Sequence, residues 1–182
     1  MTWRADPLEQ RYMQARDQVT DIHQHVPTLR WLAMQAEVVV EFGVRTAVST
    51  TALLAGQPRQ LWSYDIRESP QARELAALAG RTEFRFEVGD SRHVQIPVCD
   101  LLFIDTRHDA DQLAAELAAH HRQVRRWIAL HDTTTFGMRG ETPGRDGLWP
   151  SLRNFLSDQP SWRVWKDYRH NNGFTVLRRG AR

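Results

Sequence analysis

With 182 residues, 41% of them hydrophobic and 25% charged, the chain can bury a core of its own and carries none of the bias of a disordered or fibrous protein. The net charge is +2, and the cations, all arginine except Lys166, are scattered among acids, which gives a nucleic-acid partner little support. One cysteine, Cys99, excludes an internal disulfide; the first ten residues lack an apolar stretch and no apolar run approaches 18, so neither export nor membrane insertion is expected and a reducing cytoplasm suits the chain.

Leu8, Tyr12, Ala15 and Val19 recur at helical spacing, and Pro27 opens a second stretch through Leu29, Leu32 and Ala36, so residues 1–36 read as a helical cap on a single domain spanning 1–182. A β-branched run, Val38 to Phe42, ends at Gly43, and a helix follows from Thr50 to Gly56. Strand and helix then alternate: strand Leu61 to Asp65, helix Pro70 to Gly80, strands Glu83 to Val88 and Leu101 to Asp105, helix Ala110 to His121, strand Trp127 to His131. That rhythm predicts an α/β fold with helices on both faces of a doubly wound, mostly parallel sheet, and the doubly apolar Leu101-Leu102-Phe103-Ile104 belongs at its middle. Thr133 to Gly147 has no periodicity and reads as a candidate active-site lid. Helix Leu148 to Ser157 and a terminal hairpin follow; the hairpin's strands, Trp162 to Tyr168 and Phe174 to Arg178, require one antiparallel member.

Ligands of open α/β sheets sit outside the carboxyl ends of the strands, and this chain places polar groups at each such end: Glu41 and Gly43, Asp65, Gly89-Asp90-Ser91, Asp105, and His131-Asp132. A single acid there is a common cap or turn residue; the succession points to a binding rim. A dinucleotide fingerprint needs three glycines and only Gly43 is present, which disfavours a nicotinamide oxidoreductase. S-adenosylmethionine lacks a phosphate. Gly43 allows its close approach, Ser49 can cap a helix or meet its carboxylate, Asp65 can accept from a ribose diol and Asp90 from an adenine amino group, each with a turn-acid reading beside it.

Glu41-Phe-Gly-Val-Arg-Thr-Ala-Val-Ser49, Asp65, Gly89-Asp90-Ser91, Leu102-Phe-Ile-Asp105-x-x-His108, His131-Asp132 and Asn171-Asn172-Gly173 together resemble the class I S-adenosylmethionine-dependent methyltransferases, in the branch of cephalosporin hydroxylase-like and macrolide or sugar O-methyltransferases. The likeness runs from about Val38 to Arg178. It implies a Rossmann-like sheet of about seven strands with an antiparallel C-terminal hairpin strand, and O-methylation of a small-molecule hydroxyl in bacterial natural-product biosynthesis. It also implies cofactor contacts from Glu41, Gly43, Ser49, Asp65, Asp90 and Ser91 and a catalytic edge at Asp105, His108 and Asp132. Branch members often hold Mg2+ on an acid after the fourth strand and an acidic pair after the fifth, which makes Asp105 and Asp132 the candidate ligands; His131 departs from that pair, and Ala47 stands where the pattern has glycine.

His108, three residues past Asp105, is the expected general base, because an unperturbed imidazole titrates near 6.5. The competing reading is a surface histidine, and His23, His25, His120 and His121 are expected to face solvent. The alternative function is a non-catalytic binding module of the same fold. The acceptor and the oligomeric state are not written in the sequence.

Overall fold

The computed structural model describes residues 6–180, so the first five residues of the expected helical cap and the last two of the chain lie outside the described residues. Helix α1, Pro7–Asp17, begins where the Asp6 carboxylate accepts from the Leu8 N–H at 3.1 Å and Pro7 supplies a preset φ. It stops earlier than its periodicity predicts: Val19 is 84% exposed and lies beyond the cap. A 3₁₀ turn, His23–His25, leads into α2, Val26–Met34.

Strands β1 (Val38–Phe42), β2 (Gln60–Asp65), β3 (Glu83–Val88), β4 (Cys99–Ile104) and β5 (Val124–His131) alternate with α3 (Val48–Ala55), α4 (Pro70–Ala76) and α5 (Ala110–His120). Helix α6, Leu148–Asp158, precedes β6 (Trp162–Tyr168) and β7 (Phe174–Arg179). One seven-stranded sheet joins them in the order β3-β2-β1-β4-β5-β7-β6. The neighbours from β3 to β5 pair parallel, and β7 runs antiparallel to both β5 and β6. The order reverses between β1 and β4, which opens a crevice above their carboxyl ends.

Alternation along the central strands divides the core. Val39, Leu101 and Phe103 face the side covered by α1 to α4, while Val40, Phe42, Leu102 and Ile104 face α5 and α6. Each such side chain contributes roughly 1.5–3 kcal/mol by leaving water, so the strands that carry the rim sit in the best-buried part of the fold.

Three histidines expected at the surface are buried. The His25 ring nitrogen lies 3.0 Å from the His170 carbonyl, that of His120 2.6 Å from the Ser91 carbonyl and that of His121 2.7 Å from the Leu117 carbonyl. Burial pushes His25 down to about 4, so it is a neutral core group. A backbone acceptor lets an imidazole be buried at low cost, and helical spacing carries no sign of that acceptor.

Candidate active site

The turn after β1 is built for close approach. Gly43 has φ +85°, and a Cβ there would overlap the Asp105 carbonyl oxygen at the end of β4. Only glycine lets the two strand ends close on each other. Ala47 adopts φ 62° and Arg45 φ 49°, left-handed conformations that side-chain-bearing residues hold only when their surroundings enforce them. Glu41, expected at the ligand, instead lies fully buried beneath this turn and accepts from Ser49 Oγ at 2.6 Å, Thr50 Oγ1 at 2.8 Å and Ser63 Oγ at 2.6 Å. Burial pushes its carboxyl up to about 7 against those three hydrogen bonds. Glu41 and Ser49 therefore tie β1 to the start of α3.

A cleft of about 660 Å³ opens over the turn, lined by Gly43, Ser49, Asp65, Asp90, Ser91 and Asp105 among others, a size in the range of small-ligand sites. Asp65 is strongly committed to the backbone: Oδ2 accepts from Val44 N at 2.8 Å and Arg45 N at 2.9 Å, and Oδ1 from Arg67 N at 2.9 Å. A carboxylate has about four acceptor positions, so one remains for a ligand hydroxyl. Asp90, paired with Arg92 at 2.6 Å, is pulled down to about 2, while Ser91 Oγ donates to the buried Glu116 at 2.6 Å. Ile66, which the sequence reading missed, lines the cleft at 69% exposure next to Asp65 and offers an apolar face to a flat ring. Its only signal was a large apolar residue following a strand-end acid.

Asp105, His108 and Asp132 converge as expected and are charged differently. His108 Nε2 lies 3.2 Å from Asp105 Oδ1 and 3.1 Å from Asp132 Oδ2, its Nδ1 lies 3.1 Å from Glu141 Oε2, and its ring stacks on Phe136 at 4.8 Å. Burial works to lower its pKa, but the Asp105 and Asp132 carboxylates prevail and lift it to about 10; the same contest lifts His131 to about 10. Burial would raise Asp105, yet bonds from His108 and His131 pull it down to about 2, and Asp132 moves in the same direction. This corrects the expectation of a free base. An imidazole clamped by carboxylates at both nitrogens carries its proton at neutral pH.

The expected lid is pinned in place. Asp109 accepts from Thr142 N at 3.0 Å and Thr142 Oγ1 at 2.6 Å, Glu141 N donates to the His108 carbonyl at 3.3 Å, and Thr134 N and Thr135 N both donate to the Asn172 carbonyl. Trp149 Nε1 closes the base of the loop on the Thr133 carbonyl at 2.9 Å. Glu141, invisible to periodicity because it lies in an irregular segment, reaches the edge through this stitching.

Two absent groups can be tested against these residues. S-adenosylmethionine fits: the cleft has the volume, the Gly43 turn is a cradle that a Cβ would fill, and the rim offers acids and an exposed isoleucine. Mg2+ does not fit: Asp105, His131 and Asp132 each offer one ligand atom within 4.8 Å of the others, but one is an imidazole, and Mg2+ takes oxygen.

Sheet order and crevice give a Rossmann-like fold that solved methyltransferase structures share. No family model matches the sequence, and no curated protein matches it by sequence. Solved structures do. The O-methyltransferase TomG from Streptomyces achromogenes, involved in tomaymycin synthesis and solved with SAM, superposes with TM-score 0.68 at 17% identity, over 98% of this chain and 92% of that one. An O-methyltransferase from Bacillus cereus in complex with SAH gives 0.66 at 17%, over 98% and 93%. The N-methyltransferase NodS from Bradyrhizobium japonicum, also with SAH, gives 0.66 at 12%, over 96% and 97%. One fold thus serves oxygen and nitrogen acceptors, and the chain shares that fold.

Proposed function

We propose that the chain is an S-adenosylmethionine-dependent methyltransferase acting on a hydroxyl of a small molecule. The carrying observation is the cleft at the sheet's switch point, with the Gly43 turn at its floor and the Asp105–His108–Asp132 edge at its side. In this reading the Gly43 turn would hold the methionine end, the free position of Asp65 the ribose, and Ile66 and Asp90 the adenine, while Glu41, Ser49 and Ser91 hold the walls. A cytoplasmic setting suits the lone buried thiol of Cys99. No helix among the described residues is long and apolar enough to cross a membrane.

The cofactor supplies an electrophilic methyl group on a sulfonium. Transfer of that methyl group to an acceptor oxygen would form an O–C bond at the expense of the C–S bond and leave the sulfur as a neutral thioether. The chain's main task is alignment, which can supply roughly 7–11 kcal/mol of barrier lowering. As the O–C bond forms, the hydroxyl proton becomes strongly acidic, so even the weakly basic Asp105 carboxylate, which lines the cleft, can accept it and pass it to water. His108 acts as a positioning residue, bridging Asp105 and Asp132 and held from behind by Glu141.

Calorimetry with S-adenosylmethionine and its demethylated product tests the site, with dissociation constants on the order of micromolar expected, about −8 kcal/mol. Incorporation of labelled methyl into a panel of phenols, alcohols and amines tests the reaction. Absence of binding at millimolar ligand would overturn both. A non-catalytic binding module is favoured by the internal engagement of Ser49 and Ser91 and by Ala47; binding without methyl transfer to any acceptor would establish it.

A further inference from the structure

One wall of the cleft is organised by a carboxylate that the proposed chemistry does not use. Glu116, on α5, is fully buried, and its Oε1 accepts from Ser91 Oγ at 2.6 Å, Thr106 Oγ1 at 2.8 Å and Gln112 Nε2 at 2.8 Å. Ser91 follows β3, Thr106 follows β4 and Gln112 lies one turn before Glu116 on α5, and all three line the cleft. Glu116 Oε2 is buried without a partner, and burial raises the carboxyl's pKa against the three bonds. A proton, when bound, sits on Oε2, so Oε1 accepts in either charge state.

These bonds commit every hydrogen the three residues have. Ser91 and Thr106 each own one hydroxyl hydrogen, and both give it to Glu116. Ser91 Oγ can then only accept from Gln112 Nε2, 3.1 Å away. Both amide hydrogens of Gln112 are thereby taken, one by Glu116 and one by Ser91, which fixes the amide. Its Nε2 faces inward, and Oε1, which accepts no hydrogen bond among the described residues, is the atom left for the cleft. Asp90, beside Ser91, offers less, because its oxygens already take Arg92 N at 3.0 Å, Arg92 Nε at 3.0 Å and Arg92 Nη2 at 2.6 Å. We propose that Gln112 is the specificity-determining residue of this wall and Glu116 its positioning residue, together presenting an acceptor that selects an amino-bearing purine over its keto counterpart. The inference rests on the S-adenosylmethionine reading, in which the adenine belongs beside Asp90. An exocyclic amino group would donate to Gln112 Oε1. A keto oxygen would meet it lone pair to lone pair, and the amide has no hydrogen left to turn toward it.

Calorimetry on the full chain with S-adenosylhomocysteine and its deaminated analogue, S-inosylhomocysteine, reads this directly. The native chain should bind the adenosine form about 10- to 100-fold more tightly. Gln112→Ala should bring the two affinities within about threefold of each other, and Gln112→Met, closer to the native shape, should do the same if the alanine variant fails to fold. Glu116→Met keeps the volume, removes the acceptor and frees the amide to turn, so it should narrow the gap as well. Glu116→Gln keeps an oxygen for the same three donors and should preserve it. A role confined to packing would weaken both ligands alike and leave their ratio at the native value. The proposal is overturned if the native chain binds both ligands within about threefold, or if a folded Gln112→Ala or Glu116→Met variant keeps the native ratio. Equal binding of the two ligands removes this inference and leaves the cofactor reading standing. If neither ligand binds the native chain at millimolar concentration, the cofactor reading falls and takes this inference with it.

Discussion

Asp65→Ala probes the joint between fold and cofactor most directly. The wild-type carboxylate holds three backbone N–H groups, those of Val44, Arg45 and Arg67, at 2.8–2.9 Å. Arg45 and Arg67 are exposed, so their N–H groups return to water when the carboxylate is removed; Val44 is buried, and its N–H is left unpaired. One buried unsatisfied donor costs about 1–3 kcal/mol, which at this chain length lowers the melting temperature by roughly 2–12 °C. The left-handed Arg45 loses its tether at the same time, so the turn beneath the proposed cofactor position should lose its preset shape and S-adenosylmethionine affinity should fall at least about tenfold, near 1.4 kcal/mol. Asp65→Asn keeps one carbonyl oxygen facing Val44 and Arg45 and should lose about half as much on each scale. Thermal melts followed by circular dichroism and calorimetry read the two effects. A variant that melts with the native chain and binds the cofactor equally well would refute the account of this turn.

Gly43→Ala puts a methyl group into the Asp105 carbonyl at a left-handed φ and should destabilise by about 2–5 kcal/mol, read by urea unfolding; a native midpoint would mean the β1 and β4 ends are not in contact. Glu41 has a folded pKa raised to about 7 from 4.5, so its contribution to stability is fully present below about pH 4.5 and is lost as pH rises through 7. Melts at pH 5 and pH 8 should therefore show the native chain losing stability relative to Glu41→Gln at the higher pH, and a difference independent of pH would show that Glu41 ionises as freely in the fold as outside it. His108→Ala should lower turnover about 10- to 100-fold while leaving cofactor affinity within about threefold, because the residue positions Asp105 and Asp132 without reaching the adenosine side of the cleft. Native turnover in that variant would remove His108 from the edge's machinery.

Most of the fold could be read from period and punctuation. Val38–Phe42, Glu83–Val88 and Trp162–Tyr168 begin and end where alternation, Gly43, Gly89 and His170-Asn171-Asn172-Gly173 place them, because strand boundaries here coincide with turn chemistry. The rim was legible for the same reason: an acid at the end of a parallel strand is carried to the crevice by topology alone. Which atoms those acids then hold was not legible. Asp65 serves Val44, 21 residues away, and Glu41 serves Ser63, 22 residues away; both are contacts across neighbouring strands that depend on sheet order. His108 illustrates the limit best. Its place three residues past Asp105 follows from sequence, but its charge is set by Asp105 together with Asp132, which arrives from the end of β5, while Glu141 reaches its other nitrogen from an irregular loop.

Backbone strain points to the same region from an independent direction. Of the six non-glycine residues with positive φ among the described residues, Arg45 and Ala47 lie in the β1 turn, Asp132 at the end of β5, and Asn171 and Asn172 in the hairpin turn; Gln57 is the exception. Each of the five has an anchor or neighbour that fixes it. Asp65 ties down Arg45, and Ala47 N donates to the Val44 carbonyl at 2.7 Å. Asn171 accepts from Gln24 N and donates to the Thr20 carbonyl, both at 2.9 Å, while the Asn172 carbonyl receives Thr134 N and Thr135 N beside Asp132. Such conformations cost on the order of 1–3 kcal/mol each and persist where surrounding structure over-determines them. Their gathering at the β1 turn, at the end of β5 and in the hairpin turn that receives Thr134 and Thr135, with the residue 133–147 loop pinned by Asp109, describes a strand-end rim shaped before any ligand arrives. A preset site loses little entropy on binding, and that is the condition under which alignment alone can carry a methyl transfer.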